Sequence, residues 1–420
     1  MYLTRALEKK INEIKNQYCC ITIYGARQVG KSTMVDKLFP DNINYITLDD
    51  IEYRTKANED PKTFLENFEL PIIIDEVQKA YTLFDEIKII IDKEKKDATK
   101  ENRSPKLLFI LTGSNRFELQ SKVSESLAGR TAIFELTPLS LSEQNKINSD
   151  VFDARIHALK DKYKKIDANK LYLTRKQIYE HIFAGGMPEY VLNKQDRETF
   201  FRSYIQTYIE KDVKQVIAAT SEADFIRFLE YMALRTAQQI EYSDISRNLG
   251  IDARTVKNWI SILVSSGLAI TLSSYAKNLS SRITKMEKFY FIDTGLCSYL
   301  CKWNSSEQLE NCSMNGAFYE TFVVSEIVKS FLNTGKDYRR YLYYYRDRDN
   351  KECDLIIEEA DSIYPIEIKK GINPVSNNFN FKYLEKYKKK VEIGLVIDSR
   401  KDIFKINDYA YYCPIFMIGC

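Results

Sequence analysis

The stretch Gly25-Ala26-Arg27-Gln28-Val29-Gly30-Lys31-Ser32, followed by Thr33, constrains this chain more than any other feature. It fits GxxxxGK[ST] at every fixed position, between an apolar run (Ile21-Thr22-Ile23-Tyr24) and a segment of helical character, Ser32 to Phe39. Glycines let the backbone curl until successive N–H groups face one anion, and the helix behind them presents its positive end to the same point. Residues 25 to 33 are therefore expected to cradle the phosphates of ATP. Lys31 reaches the β and γ phosphates, and the Ser32 hydroxyl ligates Mg²⁺. Such a loop needs a strand to launch it and a helix to receive it, which points to an α/β domain with a parallel sheet.

Further runs agree. Cys20 to Tyr24, Ile43 to Leu48, Ile72 to Ile74, Leu107 to Leu111 and Ala132 to Leu136 are short, apolar and separated by helical stretches, as buried parallel strands are. The third ends in Asp75-Glu76: Asp75 is expected to hold Mg²⁺ and Glu76 to act as base on the attacking water. The fourth runs into Thr112-Gly113-Ser114-Asn115, where Asn115 can sense the γ-phosphate or simply make a turn.

At 420 residues and roughly 150 per domain, two to four domains are expected. The pattern suggests a nucleotide-binding core over 1–140, a helical lid over 141–220 broken by Gly185-Gly186-Met187-Pro188, a helix-turn-helix with a wing over 221–300, and a mixed α/β domain over 301–420. In the third region, Ser243 is expected to cap a helix ended by Gly250, and Arg254, Lys257 and Asn258 open a third helix. These three side chains would face a DNA groove, while Lys277, Arg282, Lys285 and Lys288 would line a wing; packing between protein parts is the alternative. In the last region Asp354 and Glu367-Ile368-Lys369 fall on successive strands, with Glu320 on the helix before them. A turn centred on Ala360-Asp361 would set Asp354 opposite Glu367, and Glu367 and Lys369, two apart, would share its face. Glu320, Asp354 and Glu367 would then hold a divalent ion and Lys369 would orient water. A charged strand face without catalysis is the alternative. Lysines among residues 369 to 390 form the one strong basic cluster, which a solvated face also explains.

GARQVGKST (25–33), IIIDEVQKA (72–80), LTGSN (111–115), SLAGRTAIFELTPLSLSE (126–143), GGMPEY (185–190), KFYFIDTGL (288–296) and GAFYETFVVSEI (316–327) together carry a family resemblance. The chain resembles bacterial and archaeal AAA-type ATPases whose C-terminal half is an uncharacterised domain related to PD-(D/E)XK nucleases. That resemblance implies a P-loop core with helical lid, winged helix-turn-helix and nuclease-like terminus, hydrolysis of ATP with Mg²⁺, and assembly into homo-oligomers. It also implies an arginine supplied to a neighbouring subunit, for which Arg130 is the candidate; a surface ion pair is its other reading.

Composition bounds what else the chain can be. Lys+Arg 62 against Asp+Glu 59 gives +3, well short of a surface that is basic throughout. Two histidines leave little room for a His-rich metal centre, and eight cysteines without CxxC spacing read as reduced thiols of a cytoplasmic protein. No apolar run approaches the roughly 18 residues of a membrane span, and the start reads as a charged amphipathic helix rather than a leader. Three functions remain open: an ATP-driven machine on duplex or branched DNA, a nucleotide-switched scaffold for a protein partner, and an ATP-gated nuclease.

Overall fold

The computed structural model describes residues 2–39, 43–114, 125–147, 150–214, 222–276, 282, 285–349, 351–372 and 379–420. The chain divides into two compact units: Met1–Leu139 with Ser265–Gly267 and Leu332–Gly335, and the remainder from Ser140 to Cys420.

The first unit is built on five parallel strands: β1 (Cys20–Tyr24), β2 (Asn44–Thr47), β3 (Ile72–Asp75), β4 (Phe109–Gly113) and β5 (Thr131–Glu135). Every residue of β1, β3 and β4 is buried, because helices cover both faces of a parallel sheet and leave no solvent side. Edge strand β2 instead exposes Asn44 and Tyr45. The helix Leu83–Lys100 buries Leu83, Phe84, Ile87 and Ile91 at three- and four-residue spacing, which is the stripe a helix needs to lie on a sheet. Strand order β2-β3-β4-β1-β5 makes β3, β4 and β1 neighbours. Their carboxyl ends, where Asp75, Thr112 and the Gly25–Lys31 loop sit, therefore share one edge.

The second unit begins with short helices, among them Arg175–Ala184, which Gly185 ends at φ 73°. Helices Glu222–Leu234, Tyr242–Leu249 and Ala253–Ser265 follow, with a three-stranded antiparallel sheet of β6 (Gln238–Gln239), β7 (Ala269–Leu272) and β8 (Lys288–Phe291) in the order β6-β8-β7. The second of these helices starts two residues earlier than expected, with Glu241 rather than Ser243 at its N-cap, and Gly250 closes it at φ 71°. The third buries Val256, Trp259, Ile260 and Leu263 and leaves Arg254, Lys257 and Asn258 exposed. The chain closes on a mixed sheet containing β9 (Leu342–Arg346), β10 (Glu352–Glu359), β11 (Ser362–Ile368), β12 (Lys390–Val391), β13 (Gly394–Asp398), β14 (Phe404–Lys405) and β15 (Ala410–Pro414). Before it runs the long helix Asn315–Asn333. The β10–β11 hairpin turns at Ala360-Asp361, with Glu359 opposite Ser362 and Leu355 opposite Ile366. Among the described residues no helix is long and apolar enough to cross a membrane, and all eight cysteines are free thiols.

Candidate functional site

The loop after β1 has the shape its sequence requires. A Cβ on Gly25 would lie 2.1 Å from the Leu136 carbonyl oxygen, so that position admits glycine alone. Gln28 and Gly30 take φ of 60° and 90°, which turns the chain back on itself before the helix Lys31–Leu38 begins. Lys31, 6% exposed, donates from Nζ to the carbonyl oxygens of Gly25 and Ala26, both at 2.9 Å. Its ammonium thus lies inside the curl of the loop.

Arg5 braces this loop from behind. Its buried guanidinium donates to the Val29 carbonyl and, through the other nitrogen, to the Thr137 carbonyl, each at 2.7 Å. Nothing in the N-terminal helical pattern distinguishes Arg5 from its charged neighbours; its partners are 24 and 132 residues away, so local reading missed it.

At the tip of β3, Asp75 is almost enclosed. Ser32 Oγ and Tyr45 OH donate to its Oδ2 at 3.0 and 2.8 Å, and Thr112 Oγ1 donates to Oδ1. Burial and the adjoining Asp75 charge push the Tyr45 phenol upward, which keeps it a neutral donor. Glu76 follows in the left-handed region, φ 55°, and this turns its carboxylate toward Ser114, whose Oγ donates at 3.0 Å. Gln78 Nε2 donates to the same carboxylate. Tyr45, Thr112 and Gln78 were not singled out in the sequence, although Thr112 and Gln78 adjoin residues that were. Asn115 lies outside the described residues.

Arg130 immediately precedes β5 and makes a two-pronged ion pair with Asp92, Nε at 2.7 Å and Nη2 at 2.9 Å. Reaching another subunit would require breaking that pair.

A second polar cluster occupies the other unit. Asp354 Oδ2 accepts from the Ile368 N–H at 2.7 Å, and Lys369 Nζ donates to Glu367 Oε2 at 2.9 Å. Burial, and then the Asp354 carboxylate, hold Glu367 well above the usual carboxylate range, against the opposing pull of Lys369. Glu320 is pushed up to about 7 by burial and by Asp354, while Lys288 and Tyr290 act the other way. Tyr290 OH donates to Glu320 at 2.8 Å.

One expectation needs correcting here. The cations assigned to a wing are not a solvent-facing row. Lys288 is 4% exposed and lies 2.7 Å from Glu320 and 3.0 Å from Glu352; Arg282 pairs with Glu358 at 2.7 Å. Lys285 is exposed, and Lys277 lies outside the described residues. The physical reason is that buried carboxylates of the following domain need counter-charges, which the sequence pattern of the wing alone does not reveal. Among the described residues no three His, Cys, Asp or Glu side chains, Glu320, Asp354 and Glu367 included, are gathered as a metal-holding group. Glu320 and Glu367 are turned to lysines, and Asp354 to a backbone N–H.

Comparison with known proteins assigns part of the chain. Residues 17–145 match the family model described as an AAA domain. Residues 175–307 and 315–418 match two domains of unknown function, DUF8612 and DUF4143. Uncharacterized proteins of Mycobacterium bovis and Mycobacterium tuberculosis are each 25% identical over 358 residues, covering 84% of this chain and 71% of theirs. Among solved structures, a Walker-type ATPase of Pyrococcus abyssi aligns at TM-score 0.41 and 14% identity, covering 70% of this chain and 94% of that one. A signal-transduction ATPase with a tetratricopeptide sensor from Pyrococcus horikoshii aligns at 0.24 and 15%, covering 79% and 47%. Scores this low add nothing to the argument. The phosphate loop, the Asp75-Glu76 strand end and the family match agree, and residues 17–145 are a P-loop ATPase domain of the AAA type.

Proposed function

We propose that the chain is a Mg²⁺-dependent ATPase that couples hydrolysis to conformational change and acts on DNA. The observation that carries this reading is the convergence of Lys31, Ser32, Asp75 and Glu76 at the adjacent ends of β1, β3 and β4. Ser32 Oγ and Asp75 Oδ2, 3.0 Å apart, are the hard oxygen donors that Mg²⁺ prefers, and they would hold it. Mg²⁺ bound there supplies charge neutralisation at the β and γ phosphates. The backbone of residues 25 to 33 binds those phosphates, and Lys31 exchanges the Gly25 and Ala26 carbonyls for phosphate oxygens. Glu76, oriented by Ser114 and Gln78, accepts the proton of the attacking water. Arg130, released from Asp92, acts in a neighbouring copy of the chain.

DNA as the target rests on Arg254, Lys257 and Asn258. They project from the outer face of a helix whose inner face is fully packed, as in a helix-turn-helix. One observation favours a second reading, a nucleotide-switched ATPase that binds a protein partner: Arg282 and Lys288 are spent on carboxylates instead of being offered to phosphate.

Steady-state ATP hydrolysis with Mg²⁺ decides between them, measured with single-stranded, duplex and four-way DNA at about 50 and 200 mM salt. Stimulation by one DNA form that fades with salt supports the DNA machine. Hydrolysis indifferent to every form transfers the reading to the protein partner. Full turnover by Lys31→Ala would sink the nucleotide site itself.

A further inference from the structure

The C-terminal cluster contains four carboxylates and two ammonium groups. Glu320 comes from the helix Asn315–Asn333, Glu352 and Asp354 from β10, and Glu367 from β11; Lys369 follows β11 and Lys288 comes from β8. Lys369 stays at the rim against Glu367, with 45% of its side chain exposed. Lys288 is different. It is contributed by a strand far earlier in the chain, it is 4% exposed, and it bridges Glu320 at 2.7 Å and Glu352 at 3.0 Å within the field of Asp354. A divalent ion needs two or three carboxylate oxygens turned to a common point. Here the same oxygens face an ammonium on a side chain that is almost wholly buried.

We propose that Lys288 is a built-in counter-cation, occupying the place among Glu320, Glu352 and Asp354 that a divalent ion would require, so that residues 315–418 take up no divalent ion while β8 is seated. The inference does not depend on the ATPase reading. Its chemistry is a competition of cations: expelling a buried ammonium strands one positive charge, and removing it leaves Glu320 and Asp354 with the neutral donors Tyr290 OH and Ile368 N–H but no counter-charge from Lys288. A divalent ion is then the natural replacement.

The experiment is Mn²⁺ binding to the nucleotide-free full chain, followed by calorimetry and by the electron spin resonance of free Mn²⁺, in an Asp75→Asn background that removes the phosphate-loop ligand. With Lys288 present, no Mn²⁺ site should depend on Asp354. Lys288→Met should create one, binding Mn²⁺ at least about tenfold tighter, and adding Asp354→Asn should abolish it. Lys288→Arg keeps the charge and should remain without the site. A Mn²⁺ site that Asp354→Asn removes while Lys288 is in place would overturn the proposal, as would a folded Lys288→Met chain with no gain. The first comparison decides even where Lys288→Met fails to fold.

Discussion

Arg5→Met tests whether the nucleotide site is braced from outside its motif. The guanidinium makes two charge-assisted hydrogen bonds of 2.7 Å, one to Val29 inside the phosphate loop and one to Thr137 beyond β5. Methionine preserves most of the volume and neither bond. Each carbonyl left without its donor costs about 1–3 kcal/mol, so the two together come to roughly 2–6 kcal/mol. Part of that appears as lost stability of the first unit. The share borne by the loop appears in nucleotide binding, where about 1.4 kcal/mol is a tenfold change in Kd. The expected result is binding of a fluorescent ATP analogue weakened about tenfold, together with a fall in Tm of several degrees. Arg5→Lys, able to keep one of the bonds, should fall between. Unchanged nucleotide affinity in a folded Arg5→Met chain would refute the argument, because the Val29 carbonyl would then hold its place unaided.

Other parts of the structure give further tests. Asp293, fully buried, accepts from the Gly186 N–H through Oδ2 and the Leu296 N–H through Oδ1, both at 2.7 Å. Asp293→Asn turns an amide N–H₂ toward one of those donors and should cost about 1–3 kcal/mol in urea unfolding. Gly185→Ala should cost at least as much, since its φ is 73° and the added carbon would sit 2.5 Å from Asp293 Oδ1. Glu358 is held at about 2 despite its burial, because Arg282 and Lys389 bond its carboxylate. Its folded value lies below its unfolded one, so its stabilisation is complete above about pH 4.5 and drains away as pH falls toward 2. Arg282→Met should remove about 2–3 kcal/mol at pH 7, less than a fully orphaned buried charge because Lys389 remains 2.8 Å away, and should flatten the acid limb of the stability curve. An acid limb unchanged by Arg282→Met would show that the pair is not what holds Glu358 ionised.

The five parallel strands were legible because each is a short apolar run closed by turn residues, and a parallel strand buried on both faces can hardly look otherwise. The phosphate loop was legible because its geometry leaves few alternatives to glycine and lysine at fixed spacing. Even the β10–β11 register could be computed from the position of Ala360-Asp361, since a two-residue turn fixes every pair behind it. What stayed hidden has a common cause. Arg5, Lys288 and Arg282 each meet partners from 24 to more than 130 residues away, and a cation destined for a buried carbonyl or carboxylate looks the same in sequence as one destined for solvent. The strand β13, which joins the last sheet by parallel pairing with β11 and β15, likewise lacks a hairpin to announce it.

The misassigned cations also bear on where nucleotide-driven motion can occur. Separating β8 and its preceding segment from the C-terminal strands would take both Lys288 and Tyr290 from Glu320 and leave Glu358 with Lys389. Breaking one buried ion pair costs about 3–5 kcal/mol. Two at once approach the total stability of a small domain, about 5–15 kcal/mol. The loop at Gly185-Gly186 is pinned in the same unit by Asp293, so it is a fixed joint and a poor hinge. A conformational change driven from the phosphate loop is therefore expected to leave the seam between β8 and β10 intact unless a ligand supplies replacement charge. That is the condition under which Lys288 would leave its carboxylates. Hydrogen exchange at β8 with and without ATP measures it: protection equal in both states agrees with the seam as drawn, and ATP-dependent loss of protection at Lys288–Phe291 contradicts it.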